Sequence, residues 1–406
     1  MLTRSAWITS AGTTIEWFEF GIFVYLSPIL SPLFFPDQAA GLALLQTYVL
    51  MGVGYLARPL GAIFYGHIGD RYGRKRALVT SSALIALALL FTACLPTYQH
   101  IGAWAAVLLL IARLLQGFSL GGEGSGTYVS LAEQGADHQQ SGAFFGLGYM
   151  MSSLGFGLAL VVVTLCHHVL GSEAMSDWGW RLPFMIGAVA GLLFWLMRQG
   201  IEEGGEFKKV QQQQSNLWPL FGLRHHVGKL CIAFFVLAMV GWLYYSAAVI
   251  FVSYSPVWLG IILTSVMTVF SWLGAAVWDK RWGYAAFCVV TISVLVGGTW
   301  WFQIAWQDQD AWLFCLLAAC FYFILGYAVF SVVRIIPVSS RYSGFSIAYN
   351  AATIVGGFTP ALYQWLVQRE HSPVMAFGVL STVSLVGMLG LSALPMLRSG
   401  RAAPIA

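Results

Sequence analysis

Twelve apolar stretches, each long enough to cross a lipid bilayer as one helix, leave this chain little choice of architecture. They lie near 6–34, 42–67, 77–96, 102–130, 142–168, 179–198, 229–252, 257–278, 284–306, 311–333, 343–367 and 374–396. About 20 apolar residues of helix span the roughly 30 Å hydrocarbon core. Inside that core every backbone N–H and C=O must be satisfied within the segment, which long continuous apolar runs achieve only as helices. Composition agrees. Of 406 residues 59% are apolar and only 9% charged, against about 25% charged in soluble domains. Such a chain can cover its surface against lipid but not against water. Its 17 Trp, 17 Tyr and 28 Phe suit membrane interfaces.

The gaps between stretches are short except around 199–228. That gap holds Glu202, Glu203, Glu206, Lys208, Lys209 and the run Gln211 to Gln214. It divides the chain into 1–198 and 229–406, two halves of six helices each. No cleavable signal is expected, because the first apolar stretch begins almost at once, is too long for a signal-peptide core and carries Glu16 and Glu19. The six cysteines are scattered through apolar stretches without metal-ligand spacing or a disulfide framework. There is no phosphate-binding GxxxxGK[ST] loop, and no nucleophile–base pair or metal cluster is readable. An enzyme is therefore not expected, nor a cofactor, nor a nucleic-acid partner.

Sorting Lys and Arg by loop sets the orientation. One side receives Arg4, Arg71, Arg74, Lys75, Arg76, Arg198, Lys208, Lys209, Arg224, Lys229, Lys280, Arg281, Arg341, Arg398 and Arg401; the other receives only Arg181 and Arg369. The positive-inside rule places the richer side, with both termini, in the cytoplasm.

The other three cations, Arg58, Arg113 and Arg334, fall inside stretches 2, 4 and 10, and Glu16, Glu19 and Glu123 fall inside stretches 1 and 4. Charge in hydrocarbon is costly, so these residues are expected to face a cavity or a partner. Glu16 and Glu19 are three apart and share a helix face near mid-depth. Such a pair can take up and release a proton; the alternative is a static ion pair with Arg58 or Arg113. A guanidinium at Arg113 can hold a carboxylate bidentately. Gln116 lies one turn from Arg113, and Asn350 is an amide deep in an apolar helix that needs a partner.

The loop after stretch 2 reads Gly66-His67-Ile68-Gly69-Asp70-Arg71-Tyr72-Gly73-Arg74-Lys75. It resembles the G-x-x-x-D-R-x-G-R-[KR] signature of the major facilitator superfamily, in the position that superfamily uses. The loop after stretch 8, Trp278-Asp279-Lys280-Arg281-Trp282-Gly283, is similar to a decayed second copy. Further motifs are Glu16-Trp17-Phe18-Glu19-Phe20, Arg58-Pro59-Leu60-Gly61, Arg113 to Ser119 with Gly121-Gly122-Glu123, Trp178 to Phe184, and Arg341-Tyr342-Ser343-Gly344 continuing to Tyr349-Asn350. Together they look like the metabolite:proton symporter family, which includes carriers of proline and betaine, citrate, 2-oxoglutarate and shikimate. Two departures stand out. The family's Asp in the first helix is Glu19 here, and many relatives carry an acidic residue where this chain has Arg334.

The resemblance implies an all-α integral membrane fold of twelve helices in two pseudo-symmetric six-helix bundles in a bacterial inner membrane. It also implies proton-coupled import, by alternating access, of a small polar metabolite: an organic acid, an amino acid, a betaine or a siderophore-like compound. Glu19, assisted by Glu16, is the expected proton carrier, with the proton as coupling ion. Arg113, Arg58, Gln116, Tyr349 and Asn350 are the expected substrate contacts. Gly66, Asp70, Arg71, Gly73, Arg74, Glu123, Glu133, Arg334 and Arg341 are the expected cytoplasmic gate. Stretch 5 lacks the Gly-Pro pair of proton-antiporter relatives, which favours import. A monomer is expected. An uncoupled facilitator, an exporter of the same fold and a transport-inactive sensor are the alternatives.

Overall fold

The computed structural model describes residues 2–36, 38, 40–201, 223–253, 257–278, 280, 285–291, 311–359, 361, 362, 364 and 365. Among them no strand occurs, and eight helices are long and apolar enough to cross a membrane. Most of the 199–228 gap, most of the ninth stretch and all of the twelfth lie outside the described residues. So does most of the second motif loop after Trp278.

Helix α1 spans Arg4–Phe34 and is capped by Thr3, whose hydroxyl accepts from the Ala6 N–H at 3.1 Å. At about 1.5 Å per residue it is longer than the hydrocarbon is thick, and Pro28 and Pro32 fall in its last turns. The second stretch is not one helix. It runs as α2 (Ala40–Gly54), a 3₁₀ turn at Tyr55–Ala57, then α3 (Arg58–Tyr72), which opens with Pro59 in its first turn. Proline fits there because its missing N–H has no intrahelical partner. Gly73, at φ 113°, makes the sharp reversal into α4 (Arg74–Ala93), a conformation a side chain would strain. A single turn, α5 (Tyr98–Ile101), leads to α6 (Trp104–Ala136), α7 (Ser141–Ala174) and α8 (Arg181–Arg198). The second half supplies α9 (Val227–Ser253), α10 (Val257–Val277), a helical stretch at 285–291, α11 (Ala311–Ile335) and α12 (Arg341–Gly357).

Charge and apolarity are distributed inside-out relative to a soluble protein. Leu60, Leu87, Leu193 and Trp312 are exposed on outer faces, whereas Glu16, Glu19, Arg58, Arg74, Arg113, Glu123 and Arg198 are buried. A lipid-facing surface explains the first set, and buried pairing explains the second.

Helix α1 packs on α6, α7 and α8, and α4 packs on α6 and α8. Across the halves, α7 packs on α10 and α11, and α12 packs on α3 and α6. The crossings of α2 and α3 with α6 are close enough to need glycine. A Cβ on Gly117 would sit 2.0 Å from the Gly54 carbonyl oxygen, and one on Gly61 would sit 1.9 Å from that of Phe118. Small residues admit such backbone approach between membrane helices.

Candidate functional site

The two glutamates of α1 lie one turn apart and are both almost fully buried, yet each has its own arginine. Glu19 Oε1 accepts from Arg113 Nη1 of α6 at 2.5 Å. Glu16 Oε1 accepts from Arg58 Nη2 of α3 at 2.6 Å. Space for the Glu16 carboxylate comes from Gly124, whose Cβ would lie 2.5 Å from Oε2.

Arg113 is only half used by Glu19. Among the described residues its Nε and Nη2, and both side-chain amide atoms of Gln116, have no hydrogen-bond partner although they are buried. Leaving such groups unpaired is costly, so they mark a place built for something else. They lie on the wall of a cavity of about 20 Å³ that is also lined by Glu19, Phe20, Phe23, Met51, Gly54, Tyr55, Arg58, Gly117 and Leu120. That volume suits about one water. The Arg113 guanidinium lies 4.3 Å from the Phe23 ring centroid, and Arg58 lies 4.9 Å from that of Tyr55. The 3₁₀ break in the second stretch falls beside this cavity, as discontinuous helices do at carrier binding sites.

Tyr349 and Asn350 are not brought to this cavity. Tyr349 packs between Phe345 and Tyr128, at 5.5 and 5.8 Å between ring centroids. Asn350 is fully buried where α12 meets α3 and α6. Its Oδ1 accepts from Arg58 Nε at 3.0 Å, and its Nδ2 donates to the Gly121 and Ser346 carbonyls, each at 2.8 Å.

At one end of the bundle the 66–76 segment bridges the two halves. Asp70 Oδ1 accepts from Arg74 at 2.6 Å, and Asp70 Oδ2 accepts from the Ser343 N–H and hydroxyl at 2.9 and 2.5 Å. Those last contacts place a carboxylate at the positive N-terminus of α12. Arg74 forks onto both oxygens of Glu133, at 3.1 and 3.0 Å, and Arg341 approaches Glu133 at 3.7 Å. The expected gate residues Asp70, Arg74, Glu133 and Arg341 therefore meet, and Gly66 packs directly on Ser343. Arg71 instead stays exposed over the Tyr72 ring, and Arg334 is half-buried in the last turn of α11.

Glu123 does not join this gate. It pairs with Arg198 at 2.5 Å, and the Ser81 hydroxyl donates to it at 2.7 Å. Arg198 also donates to the carbonyls of Leu78 and Thr9, at 2.9 and 3.2 Å. Position in sequence made Arg198 a loop cation; the structure buries it completely among α1, α4 and α6. The signal was Gly12, whose Cβ would lie 1.9 Å from Arg198 Nη2.

Buried ion pairs around a small cavity, in a shell of lipid-compatible helices bridged at one end, suit a multi-pass membrane carrier. The family model described as the Major Facilitator Superfamily matches residues 9–332, and the chain belongs to that family of secondary transporters. It is 27% identical over 418 residues to the glycine betaine/proline/ectoine/pipecolic acid transporter OusA of Dickeya dadantii, covering 96% of this chain and 82% of that one. It is 27% identical over 420 residues to the proline/betaine transporter of Escherichia coli K12, again covering 96% and 82%. The fold matches the xylose transporter XylE from E. coli in a partially occluded inward-open form. There the TM-score is 0.70 at 13% identity, over 95% of this chain and 96% of that one. A double-tryptophan XylE mutant gives 0.73 at 16% identity over 98% of each chain.

Proposed function

We propose that the protein imports a small zwitterionic or carboxylate metabolite of the proline and betaine kind together with a proton. The half-used Arg113 supports this most directly. Its guanidinium is held by Glu19 on one nitrogen and offers Nε and Nη2 toward the cavity. A substrate carboxylate would take that free edge as a bidentate pair. Gln116 would supply a further amide contact, and Phe20, Phe23 and Tyr55 would face a cationic or apolar end. The relatives that carry betaine and proline fit this chemistry.

Coupling follows from competition for one cation. An ionised Glu19 neutralises Arg113 and repels a second carboxylate. A protonated Glu19 releases the guanidinium to the substrate. Substrate therefore binds more tightly to the protein with Glu19 protonated, and the proton and the solute travel together. The cavity is too small for a metabolite, so binding requires the halves, 1–198 and 229–406, to move apart at one end in alternating access. We place the carrier in a bacterial inner membrane as a monomer with cytoplasmic termini, so that the Asp70 latch closes the cytoplasmic path.

Uptake of radiolabelled proline and glycine betaine by proteoliposomes, with an imposed pH gradient of either sign, tests the reading. Acid outside should raise uptake above the no-gradient level, and acid inside should lower it. Glu19→Gln should bind substrate with no pH dependence and lose gradient-driven accumulation. Uptake that ignores both the gradient and the substitution would make the protein a facilitator.

A further inference from the structure

Helix α12 meets the first half along one face, at Tyr342, Ser343, Ser346 and Asn350. Tyr342 donates to the Gly122 carbonyl at 2.8 Å, Ser343 to Asp70, and Ser346 to the Ser125 hydroxyl at 2.8 Å. Two layers hold this face. One is the Asp70 latch at the helix start; the other lies seven residues, or about two turns, deeper. The deep layer is a chain of three side chains from three helices: Glu16 on α1, Arg58 on α3 and Asn350 on α12.

We propose that Glu16, Arg58 and Asn350 form a pin that holds the two halves together deep in the membrane, and that neutralising Glu16 releases it. This rests on the carrier reading above but assigns these residues to coupling rather than to the solute. Asn350 has its amide fixed by four partners, one of which is the Arg58 Nε. Arg58, itself almost fully buried, is oriented by the Glu16 carboxylate. The charged or titratable groups facing Glu16 are Arg58 from α3, Glu123 and Tyr128 from α6, and Glu19 from its own helix. Glu19 and Glu123 are already paired with Arg113 and Arg198. With Glu16 neutral, Arg58 loses its anion and has a reason to turn into the cavity it already lines. That movement takes the guanidinium off Asn350 and leaves α12 held by the latch and by its neutral hydrogen bonds to Gly121, Gly122 and Ser125 of α6. Glu16, Arg58 and Asn350 are thus positioning residues: they set which state is populated.

The test reads conformation without substrate or gradient, so it stands apart from the transport reading. Spin labels at Arg76→Cys and Val227→Cys, both exposed at the latched end, report opening by double electron–electron resonance in nanodiscs, with the six native cysteines replaced. Distances are compared in the otherwise native chain and with Asp70→Asn, where the loosened latch brings the equilibrium into range. Glu16→Gln and Asn350→Ala should each raise the open-to-latched ratio about tenfold, the worth of one charge-assisted hydrogen bond. Glu16→Asp, which keeps the charge, should leave the ratio near the parent value. Because both substitutions act through Arg58, the double variant should resemble either single one. Asn350→Ser, with less lost volume, provides the same cycle if the alanine variant folds poorly. Fully additive effects, no change in any variant, or opening by Glu16→Asp equal to that by Glu16→Gln would each overturn the proposal.

Discussion

Two buried polar regions sit side by side in the first half of this carrier, and they are finished to different degrees. Around Glu123 and Arg198 all donors but the Arg198 Nε find near partners: the two charges meet at 2.5 Å, and Ser81, Ser82, Thr127, the Thr9 carbonyl and the Leu78 carbonyl fill in around them. Around Glu19 and Arg113, half of the guanidinium and the whole Gln116 amide are unsatisfied among the described residues. Equal burial and equal charge therefore serve different ends. A nearly completed network holds helices together. An incomplete one keeps donors ready for a molecule that comes and goes.

Cutting each region in turn separates scaffold from site by what fails. Arg198→Ala strands Glu123 in a fully buried site, and removing one partner of a buried pair costs about 3–5 kcal/mol. Thermal unfolding in detergent should show that loss, while proline or betaine affinity per folded molecule stays near the parent value. A large drop in affinity with unchanged stability would reverse the assignment of the two regions.

The unfinished region should respond with opposite signs. Gln116→Leu replaces an unpaired buried amide by an apolar group of similar size, which is neutral or stabilising, by about 1 kcal/mol. The melting temperature should hold or rise while substrate affinity falls about tenfold. If the variant instead melts well below the parent, Gln116 belongs to the scaffold.

How far this division was legible in the sequence depended on the kind of residue. Glu16, Glu19, Arg58 and Arg113 stood out because charge inside a 20-residue apolar run demands a partner. The partners were not readable, since helix periodicity fixes a face but not which helix it meets. Asn350 was readable as an amide in need of a partner, yet its partner proved to be Arg58 rather than the cavity. Arg198 escaped because it ends an apolar run and adjoins a polar gap, the usual position of a loop cation. The backbone space at Gly12, on a helix nearly 190 residues earlier, together with the Glu123 carboxylate, accounts for its burial.

The smallest effect is expected where the motif is loudest. Asp70, Arg71 and Arg74 belong to the same sequence signature, but only Asp70 and Arg74 reach the other half, through Ser343 and the Val338 carbonyl. Arg71 lies in the last turn of α3, exposed, with its guanidinium 5.4 Å from the Tyr72 ring centroid. A cation there complements the helix C-terminus, an effect screened by water and salt. Arg71→Ala should therefore change stability by no more than about 0.5 kcal/mol. The ratio of open to latched molecules should shift by less than about threefold, against the much larger opening expected of Asp70→Asn. If Arg71→Ala opens the latched end as far as Asp70→Asn does, the latch depends on the positive field of the whole loop. If it does not, the Asp70 contact to the start of α12 is the part of the signature that holds the halves together.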